Sequence, residues 1–474
     1  MTSQTPSDPP FHLLLAGPEE GEELRLPLDS RALRLLPPVP PTPTPRGTLL
    51  DDNADPNALA AQRWGLVLPE GQDLEPLLRE LAPLLALRER QQRARVLHYS
   101  VPPGLEGDAV HTWCENIYGA TDEFERPGYL LLLGGFEHLS LQLQQALSTR
   151  ARVGRLSFDR LEDYGHYARK VCRWAETPGQ REAEALLFSV RDGTSATRTG
   201  HEGLVVPCHE HLRVGQERGQ LSLSGLRGPD DLGRSPQDFL DAMATTRPAV
   251  LLSMSHGMGA PQSGWSSADE QRGFQGAMRF GLGRKVSGME VEARAFLPGG
   301  FWLYFACFGA GTPAVSPYRP WLEQLRDEAL TGEDVDRLAR SLDGPAPRPF
   351  TAALPQRALA NPEGPLGIIA HVDLAWSYSF QELGGTRSRA LRFSTLLMTL
   401  ARGGRAGIAV RKLALEALSV EHLLLDQYDA MARGQQVDSV RLAHLWMLRQ
   451  DLRSFVLLGD PAVRLPLQPD TSNG

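Results

Sequence analysis

The sequence is poor in cysteine and has no long apolar run. Four cysteines occur in 474 residues: Cys114, Cys172, Cys208 and Cys307. They are too few and too far apart for a disulfide framework or a paired-cysteine zinc site. No run reaches the roughly 18 apolar residues of a membrane-spanning helix, and the amino terminus lacks the basic and apolar regions of a signal peptide. We therefore expect a cytoplasmic protein with no membrane partner, in which a cysteine can act as a thiol.

The chain also has no surplus of basic residues. It contains 49 Lys and Arg against 57 Asp and Glu, which gives a formal net charge of −8 at pH 7. No run of basic residues offsets this balance, which argues against a nucleic acid as partner. Zinc motifs, phosphate-binding loops and dinucleotide fingerprints are likewise missing, so we predict neither a metal nor a cofactor.

What the chain does contain, from about residue 60 onward, is apolar runs that alternate with helical segments. Four of these runs are GYLLLLGG (128–135), AVLLSMSHG (249–257), FWLYFACFGAGTP (301–313) and GPLGIIAHVD (364–373). Runs that are apolar throughout are typical of strands buried on both faces of a parallel sheet. Their alternation with helices predicts a doubly wound α/β fold.

Composition divides the chain into three parts. Residues 1–60 form a Pro-rich irregular arm that contains PPVPPTPTPRG (37–47), a polyproline-type stretch. We expect an amino-terminal α/β subdomain over 61–180 and a catalytic subdomain over 181–474. The arm is predicted to be a linker, or else to control access to a cleft or to bind a regulatory protein partner.

Two of the predicted strands end in reactive side chains. His256 follows AVLLSMS and precedes Gly257, while Cys307 follows FWLYFA and precedes another glycine-rich turn. Function gathers beyond the carboxyl ends of strands in an open parallel sheet, so these side chains face each other if their strands are neighbours. An imidazole can activate a thiol, and glycines let backbone N–H groups approach a substrate carbonyl. We therefore predict Cys307 as a nucleophile and His256 as its acid/base partner.

The motifs LLSMSHG and YFAC, in this order, resemble those of the gingipain-like and caspase-like (clan CD) cysteine peptidases and of the related CHAT-domain proteins. VLLGDPAVRLP (456–466) resembles the closing strand of these proteins, and the resemblance covers about residues 128–466. It implies a caspase-like, three-layer αβα fold with mostly parallel sheets. It also implies cysteine endopeptidase activity on protein or peptide substrates, with an oxyanion hole formed by the backbone N–H groups of Gly257 and Cys307.

The resemblance leaves the pocket for the P1 residue open. GIIAHVDLAWSYSF resembles the segment that carries a Trp over the S1 pocket, with Trp376 as that residue, and VRDGT (190–194) resembles a caspase pocket turn. Arg191 would then bind an acidic P1 side chain, whereas Asp192 or Asp373 would bind a basic one. Cleavage after a charged P1 residue is expected in either case.

Several other polar residues are candidates for roles near this site. His201 and Glu202 are candidates to orient His256, or else belong to a solvated helix start. His371 is expected at the substrate rim or in a structural role, and Asp460 in a structural turn. The remaining cysteines are expected to be ordinary buried or half-buried thiols.

Two alternatives to a peptidase remain. A CHAT-like fold can be a catalytically inactive regulatory or scaffolding module, and the same thiol can serve a different acyl-transfer reaction. Secreted gingipains carry a signal peptide, a propeptide and a trailing immunoglobulin-like domain, for which this sequence gives no sign. An intracellular, regulated protease is therefore the expectation.

Overall fold

The computed structural model describes residues 15–16, 54–244, 248–327, 333–383 and 388–468. Most of the predicted arm, including its polyproline-type stretch, lies outside the described residues. In chain order the strands are β1 Leu15–Ala16, β2 Trp64–Pro69, β3 Leu97–Val101, β4 Tyr129–Leu133, β5 Arg152–Leu156, β6 Ala183–Ser189, β7 Leu223–Arg227, β8 Ala249–Met254, β9 His256–Met258, β10 Met278–Arg279, β11 Lys285–Val286, β12 Phe301–Phe305, β13 Gly311–Thr312, β14 Phe350–Thr351, β15 Gly367–His371 and β16 Phe455–Leu458.

Helices separate most of these strands. The α-helices are α1 Leu59–Gln62, α2 Glu75–Glu80, α3 Ala82–Gln92, α4 Asp108–Trp113, α5 Leu141–Ser148, α6 Leu161–Glu176, α7 Ser195–Gly200, α8 Val206–Glu217, α9 Pro236–Met243, α10 Ala268–Phe274, α11 Gly288–Glu292, α12 Arg319–Asp327, α13 Glu333–Leu342, α14 Ala353–Ala360, α15 Leu391–Ala401, α16 Ala406–Ala432 and α17 Ser439–Arg453. Short π-helical turns follow α4 and α7, at Cys114–Tyr118 and His201–Val205, and a 3₁₀ turn spans Ser377–Ser379. Within the described ranges, no helix is both long and apolar enough to cross a membrane.

Ten strands of the described residues form one large sheet. Their order is β3-β2-β4-β5-β16-β15-β12-β8-β6-β7. All neighbours in this sheet are parallel except β15 and β16, which are antiparallel. The strands of residues 61–180 occupy one end of the sheet, and those of the later residues the other.

Helices cover both faces of this sheet, as the apolar strand sequences require. In β4 every residue from Tyr129 to Leu133 is fully buried. Leu131 and Leu133 pack into the core on one face, whereas Leu130 and Leu132 pack into a second core on the other. Side chains alternate between the faces of a strand, so a run that is apolar throughout can be buried only between two layers of helices. The predicted three-layer αβα fold class, mostly parallel and caspase-like, is confirmed.

The neighbouring strands β8 and β12 set the position of the candidate site. They pair in parallel and in register, from Val250 opposite Phe301 to Met254 opposite Phe305. The pairing continues past β8, because the N–H of Ser255 donates to the Phe305 carbonyl oxygen at 3.2 Å. The chain segments that follow these two strands therefore leave the same edge of the sheet side by side.

Two smaller sheets lie beyond this edge. In the first, β9 begins with His256 and pairs with β10 on one side and with the amino-terminal β1 on the other. In the second, β13 pairs antiparallel with β14, so that Gly311 lies opposite Thr351. This second pairing brings residues near 350 next to the turn that follows Cys307.

The last strand ties the carboxyl-terminal part of the chain to the first strand of the large sheet. The Asp460 carboxylate, just past β16, accepts hydrogen bonds from Trp64 Nε1 at 3.0 Å and Arg88 Nε at 2.8 Å, and all three side chains are buried. It also accepts from the N–H of Ala462 at 2.9 Å. Loss of one partner of such a buried ion pair costs about 3–5 kcal/mol. Asp460 therefore has the structural role that its turn sequence predicts.

Candidate active site

Cys307 lies in a tight turn directly after β12. The next residue, Phe308, has φ of 55°, a left-handed conformation that costs a non-glycine residue energy and persists only where its surroundings enforce it. Main-chain hydrogen bonds enforce it here. The N–H of Phe308 donates to the carbonyl oxygen of Asp373 at 2.7 Å, and that of Ala310 to His371 at 2.8 Å. The position of the cysteine is thus fixed by the last residue of β15 and the segment that follows it.

His256 leaves the same edge of the sheet, and its successor contacts the cysteine backbone directly. A Cβ atom at Gly257 would overlap the Cys307 carbonyl oxygen and lie 3.0 Å from the Cys307 nitrogen. Only glycine permits this approach, because any side chain would force the two segments apart. The predicted histidine and cysteine therefore follow neighbouring strands at one edge, and Gly257 is the point of backbone contact.

The Nε2 atom of His256 faces a polar turn that precedes α7. It lies 2.9 Å from Thr194 Oγ1 and 3.7 Å from Asp192 Oδ2. The hydroxyl proton of Thr194 is used in a 2.8 Å hydrogen bond to Asp192 Oδ1. Since a threonine hydroxyl has one proton, Thr194 Oγ1 accepts from His256, and Nε2 carries the hydrogen. In this tautomer Nδ1 holds the lone pair that can accept a proton from a thiol.

Asp192 stands behind His256 as a buried, ionised carboxylate. Its side chain is 6% exposed, and it also accepts hydrogen bonds from the N–H of Thr194 at 3.1 Å and the hydroxyl of Thr197 at 2.8 Å. Burial raises the pKa of Asp192, but the charge on His256 and these hydrogen bonds outweigh burial and hold the pKa below its usual value. A negative charge in this place stabilises the imidazolium that forms when a thiol gives up its proton.

Two other predicted residues near this turn point elsewhere. Arg191 forms a 2.8 Å ion pair with Asp230, and its Nη2 lies 3.4 Å from His201 Nε2. The Nδ1 of His201 bonds the hydroxyl of Ser189 at 2.8 Å. The side chains that contact Nε2 of His256 are thus Thr194 and Asp192, not His201. The P1-binding roles of Arg191 and Asp192 stay predictions.

A loop segment, residues 373–376, lies directly over the thiol. The N–H of Ala375 donates to Cys307 Sγ at 3.2 Å, and Sγ lies 3.6 Å from the Ala375 carbonyl oxygen. Both Cys307 and His256 are 0% exposed. We call this segment the cover, because it closes the thiol off from solvent in this structure.

A buried histidine and aspartate hold the cover in place. Asp451, on α17, accepts the N–H of Trp376 at 2.9 Å through one oxygen and that of Ser379 at 3.0 Å through the other. His371 Nε2 lies 3.1 Å from the first of these oxygens. Both side chains of this pair are 0% exposed, so His371 has a structural role in this arrangement.

The other two predicted pocket residues, Asp373 and Trp376, belong to the cover. Trp376 is fully buried, with its ring centroid 5.7 Å from that of Tyr318 and 5.9 Å from that of Trp321. Asp373 has φ of 80°. Burial raises the pKa of its carboxyl to about 6, and nearby Ser316 and Leu374 oppose that rise. These two residues lie on the cysteine side of the site, whereas Arg191 and Asp192 lie behind the histidine.

The other cysteines have the environments predicted for ordinary thiols. Cys114 and Cys208 are buried and Cys172 is half-buried, and none of the four cysteines, all of which lie within the described residues, forms a disulfide. Burial raises the pKa of Cys114 to about 11 and raises that of Cys208 further still. A thiol with a raised pKa reacts slowly, because the thiolate is the nucleophile.

Sequence reasoning missed three residues of this region: Thr194, Tyr318 and Arg348. Thr194 could have been found, because Asp-x-Thr before a helix is a signal for capping side chains, and its hydroxyl does accept from the N–H of Thr197. Arg348 reaches the site through the pairing of β13 with β14, and Tyr318 through its packing against Trp376. No local pattern in the sequence indicates that pairing.

Comparisons with known proteins add little to this geometry. No family model matches the sequence, and no curated protein matches it. A solved structure described as "Structure of Protease" matches with a TM-score of 0.48 and 11% identity, over 86% of this chain and 79% of that one. A similarity this low carries no argument about function, so the functional conclusion rests on the site itself.

Proposed function

We propose that this protein is a cysteine endopeptidase of the gingipain-like and caspase-like type, with Cys307 as nucleophile and His256 as general acid and base. The observation that carries the proposal is the directed chain of contacts from Asp192 through Thr194 to Nε2 of His256. It gives the imidazole one tautomer and a stabilising negative charge at the edge where Cys307 stands.

In the proposed reaction, Nδ1 of His256 takes the thiol proton and Cys307 Sγ attacks the scissile carbonyl carbon. The negative charge that develops on the carbonyl oxygen is held by the backbone N–H groups of Gly257 and Cys307. The imidazolium then gives its proton to the leaving amine, which breaks the peptide bond and leaves a thioester. Water, activated by the same imidazole, hydrolyses the thioester. Asp192 stays ionised throughout.

The cover must move before a substrate can reach the thiol. Its hydrogen bonds to Asp451 and to Cys307 Sγ would have to open. The substrate would be a protein or peptide cut after a charged P1 residue, as the resemblance implies. A regulatory partner bound through the amino-terminal arm would be one means of opening the cover. A reducing, cytoplasmic setting would keep the thiol in its reduced form.

The proposal is tested by cleavage of a positional-scanning peptide library with the native chain, Cys307→Ala and His256→Ala. Cys172→Ala is the matched control, because Cys172 is a half-buried thiol on α6, away from the site. Native protein and control are expected to cleave the same peptides, and both site variants to lose at least about 10³-fold in kcat/KM. Cleavage that survives Cys307→Ala refutes the proposal.

The full burial of Cys307 and His256 specifically favours a second candidate, a catalytically inactive regulatory or scaffolding module. The two candidates differ in thiol access. A peptidase whose cover opens exposes Cys307 to an acyl-oxymethyl ketone or to iodoacetamide under native conditions, whereas a module with a permanently closed cover does not. Peptide mapping by mass spectrometry after labelling compares Cys307 with Cys172. Labelling of Cys172 alone supports the inactive module.

A further inference from the structure

A group of buried polar atoms beside Cys307 lacks hydrogen-bond partners. Neither carboxylate oxygen of Asp373 has one among the described residues, and the same holds for Nε and Nη2 of Arg348, the hydroxyl of Tyr318 and Nε1 of Trp376. Burial raises the pKa of Asp373, and the Ser316 hydroxyl and the Leu374 N–H oppose that rise as nearby hydrogen-bond donors, but neither makes a hydrogen bond of normal geometry to either carboxylate oxygen. A buried polar group without a partner costs roughly 1–3 kcal/mol, so a group of them is expected to receive a ligand.

The fold brings these groups together next to the thiol. The N–H of Asp373 donates to the Gly311 carbonyl oxygen at 3.1 Å, and Gly311 pairs across β13 and β14 with Thr351, three residues after Arg348. Burial raises the pKa of both Asp373 and Tyr318; the positive charge of Arg348 opposes the rise at Asp373, and the negative charge of Asp373 adds to the rise at Tyr318. Cys307 also adds to the rise in the pKa of Tyr318, and the Tyr318 ring packs against that of Trp376.

The opposite charges of Arg348 and Asp373 lie in the same group but do not form an ion pair. Both side chains are fully described, yet no ion pair or hydrogen bond joins Arg348 to Asp373. The buried Nε and Nη2 atoms are the edge of a guanidinium that binds an oxygen-bearing group in bidentate fashion. The carboxylate of Asp373 offers only acceptors while it is ionised. A ligand placed between them must therefore accept on one side and donate on the other.

We infer that this group, Asp373, Arg348, Tyr318 and Trp376, is the pocket for the P1 side chain and that it selects a neutral carboxamide, Asn or Gln. A carboxamide oxygen accepts from the guanidinium edge, and its NH₂ group donates to Asp373. An acidic side chain faces repulsion from Asp373, and a basic one faces repulsion from Arg348 and leaves the guanidinium edge unpaired. The inference rests on the proposed function, and it replaces the charged P1 residue expected from the sequence with a neutral one.

The test uses peptides acetyl-Ala-Ala-X-Ala-amide in which X is Asn, Asp, Gln, Glu, Lys or Arg. Asn and Asp, like Gln and Glu, are nearly equal in shape, so each pair isolates the effect of charge. With the native full chain near pH 8 we expect kcat/KM for the amides to exceed that for the acids and bases by at least about tenfold. The disadvantage of the acidic peptides should shrink near pH 5, where Asp373 is protonated.

Two variants, each of which removes one charge from the pocket, are expected to shift the P1 preference in opposite directions. Asp373→Asn removes the repelling carboxylate and should move the preference to Asp or Glu, whereas Arg348→Gln should move it to Lys or Arg. Such gains of activity cannot arise from misfolding. Arg340→Gln, at an exposed arginine on α13, is the matched control and should keep the native ranking. A native preference for a charged residue, or an unchanged ranking in both variants, overturns the inference.

Failure of the peptidase proposal is separated from failure of the pocket by a binding measurement. Cys307→Ala is titrated with the same peptides by calorimetry, which needs no cleavage. One outcome is that the native chain cleaves none of the peptides, while Cys307→Ala binds the amide peptides about tenfold more tightly than the acidic and basic ones. In that case the pocket is supported and the peptidase is not. Cleavage with a different P1 ranking leaves the peptidase and removes the pocket. Neither cleavage nor binding removes both.

Discussion

The change Asp192→Asn tests whether the carboxylate behind His256 supports catalysis. It replaces the ionised group by a neutral one of the same shape, which keeps Oδ1 as an acceptor for Thr194 and Thr197. In the native chain Oδ2 lies 3.7 Å from His256 Nε2. At this distance, with an effective dielectric constant of about 20, the attraction to an imidazolium is about 4.5 kcal/mol. We therefore expect kcat/KM to fall by about 10³-fold.

The assay combines peptide hydrolysis with a pH profile. A purely structural role for Asp192 would lower activity equally at every pH, whereas loss of the negative charge destabilises the thiolate and imidazolium. In the variant, alkylation of Cys307 by iodoacetamide should therefore require a higher pH than in the native chain. Mass spectrometry follows Cys307 separately from Cys172. The matched control is Asp230→Asn, which removes an exposed aspartate that pairs with Arg191 in the same region.

A clear result would refute this reasoning. If Asp192→Asn keeps kcat/KM within about threefold of the native value and leaves the pH profile of alkylation unchanged, the carboxylate does not act on the imidazole. If Asp230→Asn loses as much activity as Asp192→Asn, the loss belongs to the turn as a whole. Circular dichroism and urea unfolding of both variants establish that the comparison is made between folded proteins.

Three further predictions concern the surroundings of the thiol. Gly257→Ala should lower the free energy of unfolding in urea and abolish activity, because its Cβ overlaps the Cys307 backbone. The control Gly273→Ala, in an open helical position, should instead stabilise by about 0.5–1 kcal/mol; equal effects would contradict the contact. Asp451→Asn should weaken the anchoring of the cover and raise the alkylation rate of Cys307 at least about tenfold, and an unchanged rate would place the opening elsewhere. Since burial raises the folded-state pKa of Asp373 to about 6 from 3.8, its stabilising contribution is fully present below the lower value and is lost as pH rises through about 6. Asp373→Asn should therefore gain stability relative to the native chain as the pH rises through that window, on the order of 3 kcal/mol in total. Urea unfolding of both proteins at several pH values within the window measures the difference in the free energy of unfolding, and a difference that does not change with pH would contradict the prediction.

The core of the fold and the two reactive residues could be predicted from local patterns. AVLLSM and FWLYF are apolar throughout, which two covered faces require, and the structure places them as the neighbouring strands β8 and β12. Because parallel neighbours end at the same edge, we expect His256 and Cys307 to lie close together. Only residues adjacent in sequence and one general rule about sheets are needed for that prediction.

The surroundings of the two residues could not be predicted in the same way. Arg191 and Asp192 are adjacent in the sequence, and nothing local tells which of them turns inward. The structure turns Asp192 toward His256 and Arg191 toward Asp230. Arg348 is more than 40 residues from Cys307 and reaches it through a pairing of two-residue strands. Contacts of this kind depend on tertiary packing, which leaves no periodic trace in the sequence.

The hydrogen bond from Phe308 to Asp373 has a mechanical consequence. The N–H of Phe308, the residue after the thiol, donates to the carbonyl oxygen of Asp373, the first residue of the cover, at 2.7 Å. The cover and the turn that carries Cys307 are therefore joined at this point. A motion that carries residues 374–376 outward while this bond stays intact would expose the sulfur without changing its position. A motion that breaks this bond would expose the sulfur and also remove one of the two main-chain hydrogen bonds that hold the cysteine turn. The cover can therefore admit a substrate without displacing the Cys307 sulfur only if the hydrogen bond from Phe308 to Asp373 survives the opening.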